Sequence, residues 1–442
     1  MLKRPTDANA PFCPSEVSGT VNVPENGPLW KKILRYAGPG LLVSVGYMDP
    51  GNWATAIQGG SQFGYDLLFV VVLSSLAAIV LQCLSMRLGI VTGKDLAVHC
   101  REQYSPVQAK GLWAFAELSI IACDLAEVLG CALAFKLLLG VSLPVGVALT
   151  ALDTIIVLGL KGKGFRRLEA IVLGLILTIG VCLFAELFLV DPDPLAVMAG
   201  LVPSLEKLGQ RDALYLAIGI LGATVMPHNL YLHSSVVQTR IMRHDLNQDG
   251  TRLAEAIKLS RIDTVVSLFL ALFINGAILV LAAAFYKPGG GNVMDIDQAY
   301  YLLAPVAGTA AAAILFGLAL LASGQSSTFT GTIAGQVIME GFLKLRIPGW
   351  QRRLLTRALA LGPAMVGVLT LGDHVIGKML VGSQVVLSLQ LPFAMYPLIR
   401  LTGRGDLMGQ FVNAWWTQAL SWFLFVVISS ANLWLVWQAL FG

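Results

Sequence analysis

The sequence predicts an all-α polytopic membrane protein with about eleven transmembrane helices, built as a 5+5 inverted repeat in which helices 1 and 6 are broken. Three observations carry this. Of 442 residues, 56% are hydrophobic and 13% charged, against about 25% charged in a soluble globular chain, and the mean hydropathy is +0.74. Apolar runs approaching the roughly 20 residues needed to cross a bilayer follow one another along the whole chain after residue 36. Two of them, the first and the sixth, are interrupted at mid-span by proline and polar neighbours.

Taken in order, residues 1–36 are polar, rich in Pro, Asn and Glu and without a short apolar run and cleavage site, which predicts a mobile cytoplasmic tail and no cleaved signal peptide. Spans follow near 37–60, 65–90, 112–138, 141–160, 167–190, 213–238, 263–286, 301–323, 354–371, 375–400 and 412–440, bounded by Gly, Pro or charge. With the N-terminus inside, all of the 30 basic residues except Lys136, Lys207, Arg211, Lys287 and Lys378 fall on the cytoplasmic side. Such sidedness predicts an inner (plasma) membrane protein, N-terminus cytoplasmic and C-terminus extracellular or periplasmic. The expected organisation is a tail (1–36), a transporter core (37–400, repeats about 37–190 and 213–400) and a final helix (401–442).

The net charge of +4 is scattered singly between apolar blocks, so no nucleic-acid surface is expected. Cys13, Cys83, Cys100, Cys123, Cys131 and Cys182 contain no CxxC pair and read as small core residues. The surrounding partner is the lipid bilayer, and no obligate protein partner is evident.

The interruptions carry the chemistry. Span one contains Asp49-Pro50-Gly51-Asn52 and span six Met226-Pro227-His228-Asn229. Proline removes a hydrogen-bond donor and clashes with the preceding turn, and unwound backbone at membrane depth is tolerated only where protein buries it or a cavity needs it. Paired breaks five spans apart are the pattern of an inverted repeat with a substrate site at its interface; proline kinks that only aid packing are the plainer reading. Asp49 offers a carboxylate, Asn52 an amide oxygen, and Gly46 and Ala223 main-chain carbonyls one turn before each break. A charged Asp at the bilayer centre costs at least about 2.5 kcal/mol, so it needs a cation or a proton. Met226 adds a thioether, which shifts an oxygen site from Mg(II) or Ca(II) towards Mn(II), Fe(II), Co(II) and Cd(II), although gap-filling in a core is the commoner use of Met.

The stretches Gly46–Asn52 (GYMDPGN), Gly222–Asn229 (GATVMPHN), Gly324–Gln336 (GQSSTFTGTIAGQ) and Ser383–Pro392 (SQVVLSLQLP) together resemble the Nramp family of proton-coupled divalent metal transporters, and its bacterial manganese transporters most closely. The resemblance runs from about Gly38 to the C-terminus. It implies a LeuT-like fold, alternating access, and a metal site of Asp49, Asn52, the Ala223 carbonyl and Met226, joined in the occluded state by a tenth-span glutamine that maps to Gln384, with Gln390 as the alternative. Transported Mn(II) or Fe(II) and protons are then the ligands, with no cofactor.

Glu117, Asp124 and Glu127 stand at i, i+7 and i+10 of the third span and share one helical face. Buried together they require cationic partners, for which Arg352, Arg353 and Arg404 are the candidates at cytoplasmic helix ends. The family pattern implies that Asp124 and Glu127 serve a proton route. His228 and His233 titrate near neutrality; His233 reads equally as a hydrogen-bonded helix residue. Gln82 of span two is a further candidate near the site, while Asp153 and Glu186 lie at membrane depth without an evident role.

No HExxH, GxSxG or Walker lysine motif is present, so an enzyme or ATP-driven pump is not expected. A sodium-coupled small-solute carrier of the same fold is the rival. There Asp49 would repel a substrate carboxylate and Met226 would have no task. A passive cation channel differs in being unable to concentrate metal.

Overall fold

The computed structural model describes residues 19, 21, 28–152, 165–204, 208–240, 250–286, 296–307, 309–345, 349–372 and 376–441. These residues form helices and connections, with no strand among them. In chain order the helices are α1 (Leu29–Tyr36), α2 (Pro39–Gly46), α3 (Pro50–Phe63), α4 (Leu68–Thr92), α5 (Leu96–Gln103), α6 (Pro106–Leu139), α7 (Leu143–Thr150), α8 (Phe165–Val190), α9 (Pro194–Ala199), α10 (Arg211–Thr224) and α11 (Pro227–Val236). They continue as α12 (Gly250–Ala283), α13 (Ile296–Ala307), α14 (Ala310–Leu343), α15 (Gly349–Leu371), α16 (Ile376–Thr402), α17 (Gly405–Met408) and α18 (Trp415–Phe441). Eight helical stretches among the described residues are long and apolar enough to cross a membrane. The first predicted span is the broken pair α2 and α3. The fourth is described only as α7, and Asp153 lies outside the described residues.

Local signals place the ends. Ser105 caps α6 in a reciprocal capping box with Gln108, and Gly93 and Gly140 end α4 and α6 in the left-handed conformation. The 34-residue α6 and α14 pack along one another in the centre, with α15, α16 and α8 against them. Helix α3 packs against α12, α10, α16 and α6; α10 lies against α16, α3 and α4; and α11 packs against α4, α14 and α16. The residues of both breaks, Gly46–Asn52 and Ala223–Asn229, are buried in protein, as irregular backbone at membrane depth requires.

Three sequence expectations change. The seventh helix begins at Gly250, three turns before residue 263, because its first turns carry exposed charge that a hydropathy reading rejects. The predicted eighth span at 301–323 is two elements, the short α13 and then α14, which runs on to Leu343. Its Ser and Thr hydroxyls let it do so by donating to carbonyls three or four residues back, as in Ser326 to Ser323, Thr330 to Ser327 and Thr332 to Thr328. Nor is the tail merely mobile: residues 29–36 form α1, and the Gly19 and Val21 amides donate to the Gln238 and Thr239 carbonyls at 2.9 and 3.0 Å.

Helix α6 passes the start of α3 so closely that a Cβ on Gly130 would overlap the Pro50 ring. Gly130→Val should force the two helices apart, with an overpacking cost of about 1–3 kcal/mol, seen as a lower thermal midpoint in detergent. An unchanged midpoint would mean that this contact does not hold the first break.

A candidate metal site between two helix breaks

The two breaks use the same local grammar. Asp49 and Met226 are each held extended before a proline (ψ 166° and 121°) by the clash that proline imposes on its predecessor. Pro50 and Pro227 then occupy the first helical position, where a missing N–H costs nothing. The Asp49 side chain caps α3 by accepting the Asn52 backbone N–H at 2.9 Å.

Breaking a helix orphans carbonyls, and their partners define the site. The Tyr47 carbonyl accepts from Asn275 Nδ2 at 2.6 Å and the Met48 carbonyl from Ser323 Oγ at 2.5 Å. Those of Gly46 and Ala223 both lie against Asn52, whose Nδ2 is 3.3 Å from the first, 3.0 Å from the second and 2.8 Å from Asp49 Oδ1. One amide nitrogen with two hydrogens thus faces three oxygens from both broken helices. The second carboxylate oxygen, Asp49 Oδ2, is buried with no hydrogen-bond partner among the described residues. This geometry suits a cation: oxygens of one carboxylate and two carbonyls converge, and Asn52 can turn its own amide oxygen towards the same point.

Met226 is fully buried and packs with Cys123 and Leu387. Its sulfur lies beside Gly46, where a Cβ would come within 3.2 Å of Sδ and overlap the Asn229 amide. Among the described residues neither side-chain polar atom of Asn229 has a hydrogen-bond partner, so this residue belongs to the candidate set, although the motif of the second break gave it no ligand role. Gln384 abuts Gly51 so tightly that a Cβ there would overlap its amide; Nε2 donates to Ser383 Oγ at 2.9 Å and Oε1 has no partner among the described residues. Gln390 is buried further along α16. Among the described residues no three His, Cys, Asp or Glu side chains converge as a metal cluster. The candidate donors are instead a single carboxylate, amides, carbonyls and a thioether.

His228 is buried with Nδ1 unpartnered among the described residues. His233 is engaged: Nδ1 meets Gln82 Oε1 at 2.9 Å and Nε2 meets Thr264 Oγ1 at 3.4 Å, while Gln82 Nε2 donates to the Tyr47 hydroxyl at 2.8 Å. Gln82 therefore joins Tyr47 to His233 and makes no hydrogen bond to the proposed ligands.

Two of the third-span carboxylates pair with arginines of α15. Arg352 pairs with Glu117 at 2.5 Å and Arg357 with Asp124 at 2.9 Å. Glu127 accepts from Thr328 Oγ1 at 3.1 Å, and the same hydroxyl accepts from Arg357 at 3.4 Å. Two expected partners fall away. Arg404 sits at the surface with Asp406 and Gln103, because a loop residue after α16 cannot reach the face of α6, and the Arg353 side chain lies outside the described residues. Arg357 was counted as a loop charge, yet it stood inside the predicted ninth span; an arginine within a span should itself have signalled a buried carboxylate. Cys123 was likewise read as plain core. It packs on Met226, its thiol is 3.7 Å from Glu127, and it lies within electrostatic reach of Asp49, Asp124 and Glu127. Glu186 is fully buried with neither oxygen partnered among the described residues.

The family described as Natural resistance-associated macrophage protein-like, Nramp, matches residues 40–438. The chain belongs to this family. As an Nramp protein it is a membrane transporter and not an enzyme. It is 68% identical over 439 residues to the divalent metal cation transporter MntH of Ralstonia nicotianae, covering 99% of this chain and 98% of that one. It is 63% identical over 434 residues, 98% of each chain, to MntH 1 of Pseudomonas aeruginosa. A crystal structure of the Eremococcus coleocola manganese transporter, in a mutant form, overlays 95% of this chain and 89% of its own with a TM-score of 0.88 at 39% identity. Mhp1, a nucleobase-cation-symport-1 family transporter, shares the fold alone, at a TM-score of 0.61 and 15% identity over 98% of this chain and 94% of that one.

Removing one member of a buried ion pair strands the other, which costs about 3–5 kcal/mol. Arg357→Met should therefore lower the thermal midpoint, and Arg357→Met with Asp124→Asn should recover part of the loss. A double variant no better than the single one would mean that the pair is not coupled.

Proposed function

We propose that this Nramp protein imports Mn(II), with Fe(II), Cd(II) and Co(II) as further substrates, by alternating access coupled to proton entry. The observation that carries the reading is the convergence of Asp49 and the Gly46 and Ala223 carbonyls on Asn52, with the Met226 thioether beside Gly46. A divalent ion takes the place of the Asn52 hydrogens, the amide presents its oxygen, and Asp49 supplies the only formal negative charge. Met226 is the selectivity element, since a thioether favours transition metals over hard alkaline-earth ions. Gln384 approaches from α16 as the site occludes, and Pro50, Gly51 and Pro227 give the backbone its pivots.

The proton displaced from Asp49 by the arriving metal leaves along α6. Cys123 bridges the site to Glu127 and Asp124, while Arg357, with Arg352 on Glu117, keeps the face from carrying three uncompensated charges. His228 is a secondary relay. The protein resides in the inner membrane with its N-terminus cytoplasmic, and the metal and proton move inwards together. The named relatives and the donor chemistry support the metal; the ion-paired face adjoining the site supports the coupling.

Two measurements test this. By calorimetry, Met226→Ala should lose Cd(II) affinity most, keep appreciable Mn(II) affinity and gain relative affinity for Ca(II). Equal losses for all three ions would reduce Met226 to packing. In proteoliposomes, simultaneous records of Mn(II) influx and internal pH for Asp124→Asn and Glu127→Gln should show near-normal Mn(II) binding but reduced metal-stimulated proton entry. Wild-type ratios in both variants would make the carboxylate face structural only.

A further inference from the structure

A groove of about 600 Å³ runs between α4, the outer part of the sixth span (α10) and α18, away from the metal site. Its walls are apolar, with Leu76, Ala77 and Val80 of α4 facing Leu420 and Leu424 of α18 and Leu221 of α10. Ser74 is the one polar lining residue among the described residues, and that hydroxyl is spent on the Val71 carbonyl at 3.1 Å. Nothing in the walls would bind a polar ligand; the shape and chemistry fit a hydrocarbon chain.

Two turns beyond the groove's lining residues, the same face of α4 and the approach to α18 become polar. Arg87 lies seven residues beyond Val80, about 10 Å further along α4, and its guanidinium donates to Asn413, seven residues before Leu420. Arg87 Nε has no acceptor among the described residues. Arg261 of α12 stands near enough for its charge to act on Arg87 and on Cys83. Among the described residues neither arginine has a carboxylate partner. Among the described residues, two neighbouring cations thus stand without an anion at the helix face that continues the apolar groove. Their depth is marked twice: Trp415 and Trp416 are exposed next to Asn413, and beyond Arg261 α12 exposes Ile262, Val266 and Phe273. Aromatic residues of this kind sit at headgroup level, with lipid-facing side chains beyond them.

We infer that one anionic phospholipid binds here, its phosphate between Arg87 and Arg261 and one acyl chain laid along α4 and α18. A zwitterionic lipid offers the same chain but brings its own cation to the arginines, so the site selects for net negative charge. The chain reaches Leu221, two residues before the Ala223 carbonyl, so the lipid contacts the helix that ends at the second break. The inference rests on the membrane fold alone and is independent of metal identity and proton coupling.

The test is native mass spectrometry of the full chain in detergent, supplied with equal dioleoyl-phosphatidylglycerol and dioleoyl-phosphatidylcholine. The wild type should retain the anionic lipid at least about fivefold over the zwitterionic one. Arg261→Gln, a change at an exposed side chain, should reduce that preference to under about twofold, whereas Lys258→Gln one turn earlier should leave it intact. Leu424→Trp, which fills the groove, should lower retention of both lipids. Equal retention of the two lipids by the wild type, an unchanged preference in Arg261→Gln, an equal loss in Lys258→Gln, or removal of the preference by inorganic phosphate would each overturn the assignment.

Discussion

A main-chain carbonyl freed inside a membrane must find a donor, and the organisation of this protein follows from how four such carbonyls are met. Two are closed off by the protein itself, through Asn275 and Ser323. The other two, from different broken helices, share the single amide of Asn52. A hydrogen-bond donor shared among three oxygens is a weak solution for backbone but a good precursor for a cation, which satisfies all three at once. The same residue ties the first span to the sixth, so occupation of the site and the relative position of the two helices are linked.

The second constraint is charge. Three carboxylates on α6 are held in a largely apolar bundle by different means: Glu117 and Asp124 by arginines of α15, Glu127 by a hydroxyl of α14. Glycines on α14 make room for this. A Cβ at Gly331 would lie 3.0 Å from Glu127, and one at Gly335 only 2.9 Å from Arg352. Cys123, one turn before Glu127 and packed on Met226, puts the ion-paired face and the candidate metal site in contact. Stability of the bundle and the chemistry of the site are therefore carried by adjacent turns of one helix.

Much of this was legible in the sequence because the decisive signals are local. Proline together with polar neighbours after Asp49 and Met226 marks the two breaks, whereas Pro363, Pro392 and Pro397 stand alone inside the continuous helices α15 and α16, and the apolar runs outline the helices. What escaped depended on contacts distant in sequence or on compensation within a helix. The polar run after Gly324 looked like the end of a span, but its hydroxyls bond to their own helix and the chain continues to Leu343. Arg404 was chosen as a partner from its place at a helix end, whereas side-chain reach from α15 selects Arg352 and Arg357. Cys123 carries no sequence mark that separates it from ordinary core residues, and Asn229 stood in the second break without a ligand role; packing against Met226 and Gly46 singles them out.

The central claim is that one site is built from both helix breaks. Anomalous X-ray diffraction from crystals soaked in Mn(II) tests it most directly. The account predicts a single strong peak within coordination distance of Asp49, Asn52, the Ala223 carbonyl and Met226, lost in Asp49→Ala. A peak contacting only one of the two broken helices, or one that persists unchanged without Asp49, would contradict it.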